Sequence, residues 1–415
     1  MAAVASTLNA AQTDLLNRCT QLIATGIQLQ SGGATVPSSS LGLSSSQLAG
    51  VLGTLSQQQA IAQGSNAVEA APNQARIVSR LVALRRGAGS QIIAGGKEFN
   101  LSGKGSRTGQ ALVPTLTGGG ASADQASPGR LGLWLNGDGS FGDADTTQNQ
   151  VGYSYHTAGL TAGADYRLTD NLVLGAAFNY LRTNATFVST LGTADSQGYG
   201  GVLYGTYYIG GFHLDLNGGF TWNNYDITRN IVYAGVGPSF TVVNRTATGS
   251  PSGQEYNINF GLGYDFAVKG FTLTPYLRVE YLNLVTESYT ETGALGLNLQ
   301  VVGQRVQSLL TVLGGQVSYA WSVPFGVLSP YVRAEWRHEF LNDPRSITAQ
   351  FVNDPFGTSF LIPTDSPTRN YADVGAGVSA QFAKGISAFL SFDTILGLSN
   401  FTNYQFVGGL RFELF

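Results

Sequence analysis

Apolar and polar residues alternate one by one through the last two-thirds of this chain. In Phe212–Tyr225, Phe212, Leu214, Leu216, Phe220 and Trp222 oppose His213, Asp215, Asn217, Thr221 and Asn223. Successive side chains of a strand point to opposite faces, so the spacing predicts a strand with one greasy and one polar face. The pattern recurs about twelve times between Gly129 and Phe415, with no helical period between repeats. The predicted strands are Arg130–Gly137, Tyr155–Arg167, Asn171–Arg182, Gln197–Ile209, Phe212–Tyr225, Tyr256–Phe266, Phe271–Val285, Val306–Trp321, Val327–Phe340, Tyr371–Phe382, Ile386–Leu398 and Tyr404–Phe415. Strand four is the least clean, with Val202, Tyr204 and Tyr208 on one side and Leu203 and Tyr207 on the other.

The polar faces carry the charge. Strand nine sets Arg333, Glu335, Arg337 and Glu339 against Val332, Ala334, Trp336 and Phe340. The same face rule gathers Asp215, Asp265, Arg278, Glu280, Asp373, Asp393, Arg411 and Glu413 on one side of the sheet. Links after strands one, three, five, seven and nine read as long, including Asn184–Ser196 and Asp226–Gln254, and those after even strands as short. Short turns at one end and long loops at the other, over an even number of strands, are the pattern of an outer-membrane barrel. Closure of strand twelve on strand one would leave no open edge in lipid. The fold class expected is therefore an all-β transmembrane barrel of about 12 antiparallel strands, preceded by an α-helical segment. Tyr225, Tyr256, Tyr281, Trp321, Trp336 and Phe340 are candidates for its interfacial aromatic girdles.

Composition supports this reading. Charged residues make up 11%, against roughly 25% in a typical soluble domain. Glycine reaches 55 residues, with 19 tyrosines and 22 phenylalanines. A soluble all-β sandwich is the alternative class. A net charge of −3 gives no reason to expect nucleic acid as a partner. No run is apolar enough for a transmembrane helix. The start, Met1-Ala-Ala-Val-Ala-Ser-Thr, lacks a basic n-region and an apolar h-region. An exported barrel needs a signal peptide, so the sequence reads as a fragment with an added start Met.

Helical patterns occupy the N-terminal part. Leu8–Thr25 places Leu8, Leu15, Cys19, Leu22 and Ile23 on roughly one face, with Gly26 as its stop. A second helix is expected over Ser46–Ala70, with Leu48, Val51, Leu52 and Leu55 apolar, so 1–71 reads as a helical hairpin. The lone Cys19 is either a thiol on a helix or half of a disulfide with another chain or an upstream residue. Pro72 restarts a helix over 72–87 whose basic residues are Arg76, Arg80, Arg85 and Arg86. These are a solvated basic face or the complement of an acidic lumen. The alternative to the second reading is that the inner arginines Arg278, Arg333, Arg337 and Arg411 already neutralise those acids along the wall. Residues 88–128 are rich in Gly, Ser and Thr and read as a linker with weak strand potential near Ser90–Leu101.

Candidate chemistry is sparse. His156, His213 and His338 are the only histidines. His213 and Asp215 share a strand face, which a base and its orienting group could use, but such a pair is more often a polar lumen wall. The sequence suggests no metal cluster, phosphate loop or cofactor motif, and no enzymatic activity is expected.

Three stretches carry a family resemblance: Asn73-Gln-Ala-Arg-Ile-Val-Ser-Arg-Leu-Val-Ala-Leu-Arg85, Thr161-Ala-Gly-Ala-Asp-Tyr-Arg-Leu-Thr-Asp-Asn-Leu-Val-Leu-Gly175 and Gly408-Gly-Leu-Arg-Phe-Glu-Leu-Phe415. With the strand series, they resemble the C-terminal translocator of type V secretion autotransporters. The resemblance implies a monomeric barrel in the Gram-negative outer membrane, filled by a helix and exporting an N-terminal passenger held in cis. It implies contact with outer-membrane lipid and lipopolysaccharide, and handling by periplasmic chaperones and the barrel assembly machinery. The residues of the ending that would be read are Gly408, Phe412, Leu414 and Phe415. Leu414 is in step with the outward face, and Phe415 lies one residue beyond. The linker over 88–128 is longer than the family's usual helix-to-strand link. A stand-alone channel with a helical N-terminal segment is the alternative function.

Overall fold

The computed structural model describes residues 10–32, 39–55, 92–94, 97–99, 130–234, 242–354, 356–382 and 385–414. Twelve long strands form a ring: β1 (Leu131–Ala144), β2 (Tyr153–Arg167), β3 (Leu172–Phe187), β4 (Gly192–Ile209), β5 (Phe212–Tyr233), β6 (Ser252–Tyr264), β7 (Phe271–Thr286), β8 (Gln304–Tyr319), β9 (Gly326–Glu339), β10 (Asn370–Phe382), β11 (Ile386–Leu396) and β12 (Tyr404–Leu414). Each is antiparallel to its sequence neighbours. β12 closes on β1, in a register running from Tyr404 opposite Phe141 to Leu414 opposite Leu131. No backbone edge of the ring is left unpaired, so it can sit in hydrocarbon.

The faces are inverted relative to a soluble protein. Leu133, Leu135, Leu160, Phe178, Leu216, Phe260, Leu273, Leu313, Trp336, Leu390 and Phe412 are exposed outside, while Asn136, Thr161, Asn179, Asn217, Glu280, Glu335 and Asp393 are buried inside. An apolar surface this continuous has no place in water, but matches a bilayer. Aromatic pairs line the two ends of the belt. Phe220–Tyr256 and Phe141–Tyr404 lie toward the long-loop end, with ring centroids 5.1 and 5.5 Å apart. Tyr264–Phe266 and Phe271–Tyr319 lie toward the short-turn end, at 4.5 and 4.7 Å.

The structure corrects several expectations. Tyr225 belongs to no girdle; it is buried in an apolar cluster of the outer loops. On β4 the outward residues are Tyr199, Leu203 and Tyr207, while Val202 and Tyr204 are buried inside. The link expected over Asn184–Ser196 is a tight turn at Val188–Thr190, because β3 and β4 keep pairing beyond the apolar belt. β5 similarly runs on to Tyr233, where it pairs with a short strand, Val243–Gly249. Apolar alternation tracks only the lipid-facing part of a strand; backbone hydrogen bonding continues past it.

The long connections fold into a platform. Tyr289–Thr290, Leu299–Val301, Ser346–Phe351 and Ser359–Pro363 make a separate four-stranded sheet from the β7–β8 and β9–β10 loops. Ile227, Leu299, Val301, Ile347, Ala349 and Ile362 form its apolar core.

Two helices rest on this platform. α1 spans Ala10–Gln30 and passes through Gly26, where a stop was expected. Glycine in a helix interior costs about 1 kcal/mol relative to alanine. Packing around the fully buried Thr25, whose hydroxyl accepts the Leu41 N–H at 2.9 Å, offsets that cost. The helix ends at Gly32, whose φ of +67° is the left-handed terminator that glycine adopts without strain. Ile23, expected on the apolar face, is exposed. α2 spans Ser45–Leu55. Ser44 and Gln47 exchange hydrogen bonds at its start, a capping box of 3.3 and 2.9 Å. Leu52 is exposed and Leu48 half-buried, while Val51 and Leu55 are buried. The remainder of the helix expected to Ala70 lies outside the described residues. No helix among them is long and apolar enough to cross a membrane. Within the predicted linker, Ile92–Ala94 pairs with Lys97–Phe99.

Candidate functional site

The polar strand faces converge in the barrel lumen, with Glu335 of β9 at the centre. Arg278 of β7 grips it with both terminal nitrogens, at 2.9 and 3.1 Å. Arg333 and Arg337 approach the same carboxylate at 3.2 and 2.9 Å. The Tyr276 hydroxyl donates to it at 2.6 Å. The arginines also reach outward. Arg278 pairs with Glu280 at 2.9 Å, Arg333 with Asp373 and Asp393 at 3.2 and 2.6 Å, and Arg337 with Asp373 at 2.8 Å. Strands β7, β9, β10 and β11 are thus cross-linked inside by one ionic network. The alternation brings it about, since residues two apart on β9 share a face and adjacent strands place theirs alongside.

A second group lines the β1–β4 and β12 wall. Arg411 pairs with Glu413 and lies 3.6 Å from Asp165. The buried Trp134 indole donates to the Tyr204 hydroxyl at 2.6 Å, and that hydroxyl lies 3.3 Å from Asp165. Glycines make the room. A Cβ at Gly163 would come within 2.5 Å of Trp134, and one at Gly175 within 2.2 Å of the Tyr204 ring. Trp134 and Tyr204 were legible as large aromatics on otherwise polar or ambiguous faces, but their meeting was not.

The remaining predicted acids also face inward. Asp265 accepts from Thr274 at 2.5 Å. Glu339 accepts from Ser308 at 2.5 Å and from the N–H groups of Leu309 and Leu341 at 2.9 Å each. Asp215 is half-buried on the lumen face. The sequence reading missed Glu255, which is buried on the inner face of β6. It shared that face with Asn257 and Asn259, one residue before the predicted strand began. His213 is buried in the wall, and a Cβ at Gly263 would meet its Nε2 at 2.6 Å. No cluster of three or more His, Cys, Asp or Glu side chains among the described residues could hold a metal ion. Arg76, Arg80, Arg85, Arg86 and Phe415 lie outside the described residues.

At the outer mouth, Arg229 of β5 and Glu291 of the β7–β8 loop form a fully buried pair, with Nε–Oε1 at 3.0 Å and Nη2–Oε2 at 2.5 Å. Arg229 also donates to the carbonyls of Thr54 and Leu55, at the end of α2. Both residues fall in stretches expected to be loops, where alternation gives no signal.

A closed twelve-stranded barrel with a lipid-matched exterior, a charged lumen and a folded outer mouth defines an integral outer-membrane protein. The family model for the autotransporter β-domain matches residues 133–393, so the chain belongs to the autotransporter β-domain family. The chain resembles the translocator domain of the autotransporter NalP from Neisseria meningitidis, with a TM-score of 0.54 and 14% identity, over 68% of this chain and 88% of that one. It is 26% identical over 291 residues to outer membrane protein A of Rickettsia conorii, covering 68% of this chain and 14% of the relative. It is 23% identical to an extracellular serine protease of Serratia marcescens, covering 63% of this chain and 24% of the relative. A lipase of Photorhabdus luminescens is 25% identical, covering 63% and 39% respectively. The matched stretch thus spans well under half the length of these relatives.

Proposed function

We propose that this chain is the translocating and anchoring end of an autotransporter, exporting a passenger in cis through its own barrel. Family membership supports the class. The observation that carries the reading is topological. α2 ends at Leu55 against Arg229, on the long-loop side of the ring. β1 begins at Leu131, paired with Tyr166 and Leu414 at the short-turn end. A chain joining these points has to cross the membrane, and an unpaired segment has no stable path through lipid. The lumen is the route available to it. In this reading 1–71 is the tail of the passenger region, 72–87 is the segment inside the pore, and 88–128 is its link to β1.

Charge supports the same assignment. Glu280, Glu335, Glu339, Asp373, Asp393, Asp215, Asp265, Glu255 and Asp165 face a lumen whose neighbouring guanidiniums are fewer. Arg76, Arg80, Arg85 and Arg86 would balance that excess where water is scarce. His213 serves as a wall residue in this account, and the barrel itself carries no catalytic step. The exterior belt is the surface for lipid and lipopolysaccharide. Gly408, Phe412, Leu414 and Phe415 form the ending that the assembly machinery and periplasmic chaperones would read. Conductance in planar bilayers is the test. Deleting 72–87 should open a larger, steadier current. An unchanged current would remove the plug, and a large current in the intact chain would favour the stand-alone channel.

A further inference from the structure

The helical pair α1–α2 does more than emerge from the barrel, because the platform is shaped to hold it. Leu41, Leu43, Val51 and Leu55 from the helical segment form one buried cluster with Ile231, Tyr233, Val243, Ala247, Ala294 and Leu297 of the outer mouth. At its edge lies Arg229, whose five N–H donors are all engaged. Nε and Nη2 hold Glu291, Nη2 also meets the Leu297 carbonyl at 2.8 Å, and Nη1 reaches the Thr54 and Leu55 carbonyls at 3.0 and 3.3 Å. Glu291 is held in turn by the Leu299 N–H at 2.8 Å. The last carbonyls of a helix are its unsatisfied, electronegative end, and a guanidinium is a suitable cap. Without α2, Nη1 loses both acceptors, and the apolar side chains around it face water.

We propose that the outer mouth is a socket for residues 10–55 of the same chain, latched by Arg229–Glu291, and that it keeps the exported segment on the cell surface after the chain is cut. The socket would make retention independent of the peptide link between passenger and barrel. It rests on the translocator reading only in placing the helices outside the cell.

The test uses the full chain in intact cells, with an epitope tag before Ala10 and a specific protease site inserted between Gln63 and Ser65. Antibody binding to the tag before cutting reports export alone, so a failure of the translocator reading shows there first. After cutting, confirmed on a denaturing gel, the tag should remain with the cells. In Arg229→Met and in Val51→Asp it should be released. Removing one partner of a buried charge pair should lower retention roughly a hundredfold or more. Val51→Asp leaves every barrel residue untouched, and unaltered heat-modifiable gel mobility would show that the Arg229→Met barrel still folds. Release from the unmutated chain, or retention by both variants, would overturn the socket.

Discussion

Replacing Glu335 by Gln tests the lumen network where it is most concentrated. Three guanidiniums and one phenol converge on this carboxylate at 2.6 to 3.2 Å. With charge centres about 4 Å apart and an effective dielectric near 20, each arginine attracts it by roughly 4 kcal/mol before desolvation. Desolvation cancels much of that sum, yet deleting one member of a buried pair typically costs about 3–5 kcal/mol because the others are left uncompensated. Here each arginine keeps a second acid: Glu280 for Arg278, Asp373 and Asp393 for Arg333, Asp373 for Arg337. The expected loss therefore lies near the lower figure, about 3 kcal/mol. Urea titration of the barrel in lipid vesicles, followed by tryptophan fluorescence and heat-modifiable mobility, measures it. Combining Glu335→Gln with Arg337→Met should cost less than the sum of the two, since the pair shares one interaction. A Glu335→Gln barrel within about 0.5 kcal/mol of the parent would refute the reasoning, and would mean that lumen water replaces the carboxylate at no cost.

Gly175→Leu should destabilise the barrel by about 1–3 kcal/mol by forcing the Tyr204 ring from Trp134, measured as a lower midpoint in the same urea titration. The Cys19 thiol is half-buried, and burial, with the nearby Asp354 charge adding to it, pushes its pKa up. Less thiolate is present at neutral pH, so an impermeant maleimide should label intact cells slowly, and faster as pH rises or in Arg229→Met, where the helices leave the socket.

Much of the membrane-spanning structure could be read from the chain. Arg333, Glu335, Arg337 and Glu339 on one face of β9 already required a polar interior opposite Trp336 and Phe340. The count of twelve strands, the antiparallel order and the outward step of Leu410, Phe412 and Leu414 followed from the same rule. It failed at Val202 and Tyr204, where the interior accepts apolar side chains because they pack on Trp134 and Val173. It failed again beyond the belt, at Tyr225 and in the β3–β4 turn, because alternation marks contact with lipid and is silent where strands continue into water.

On every strand but the mixed β4, sequence alone therefore sorted most residues between lipid and lumen, since a period of two is a local property of extended backbone. Tertiary structure decided which lumen charges meet. Glu335 and Arg278 are 57 residues apart, and only ring closure and register bring them within hydrogen-bonding distance. It also decided that the outer loops form a folded platform and that Arg229, Glu291 and the end of α2 share one buried site. Those contacts join segments up to 175 residues apart, and no local pattern encodes which of them will meet.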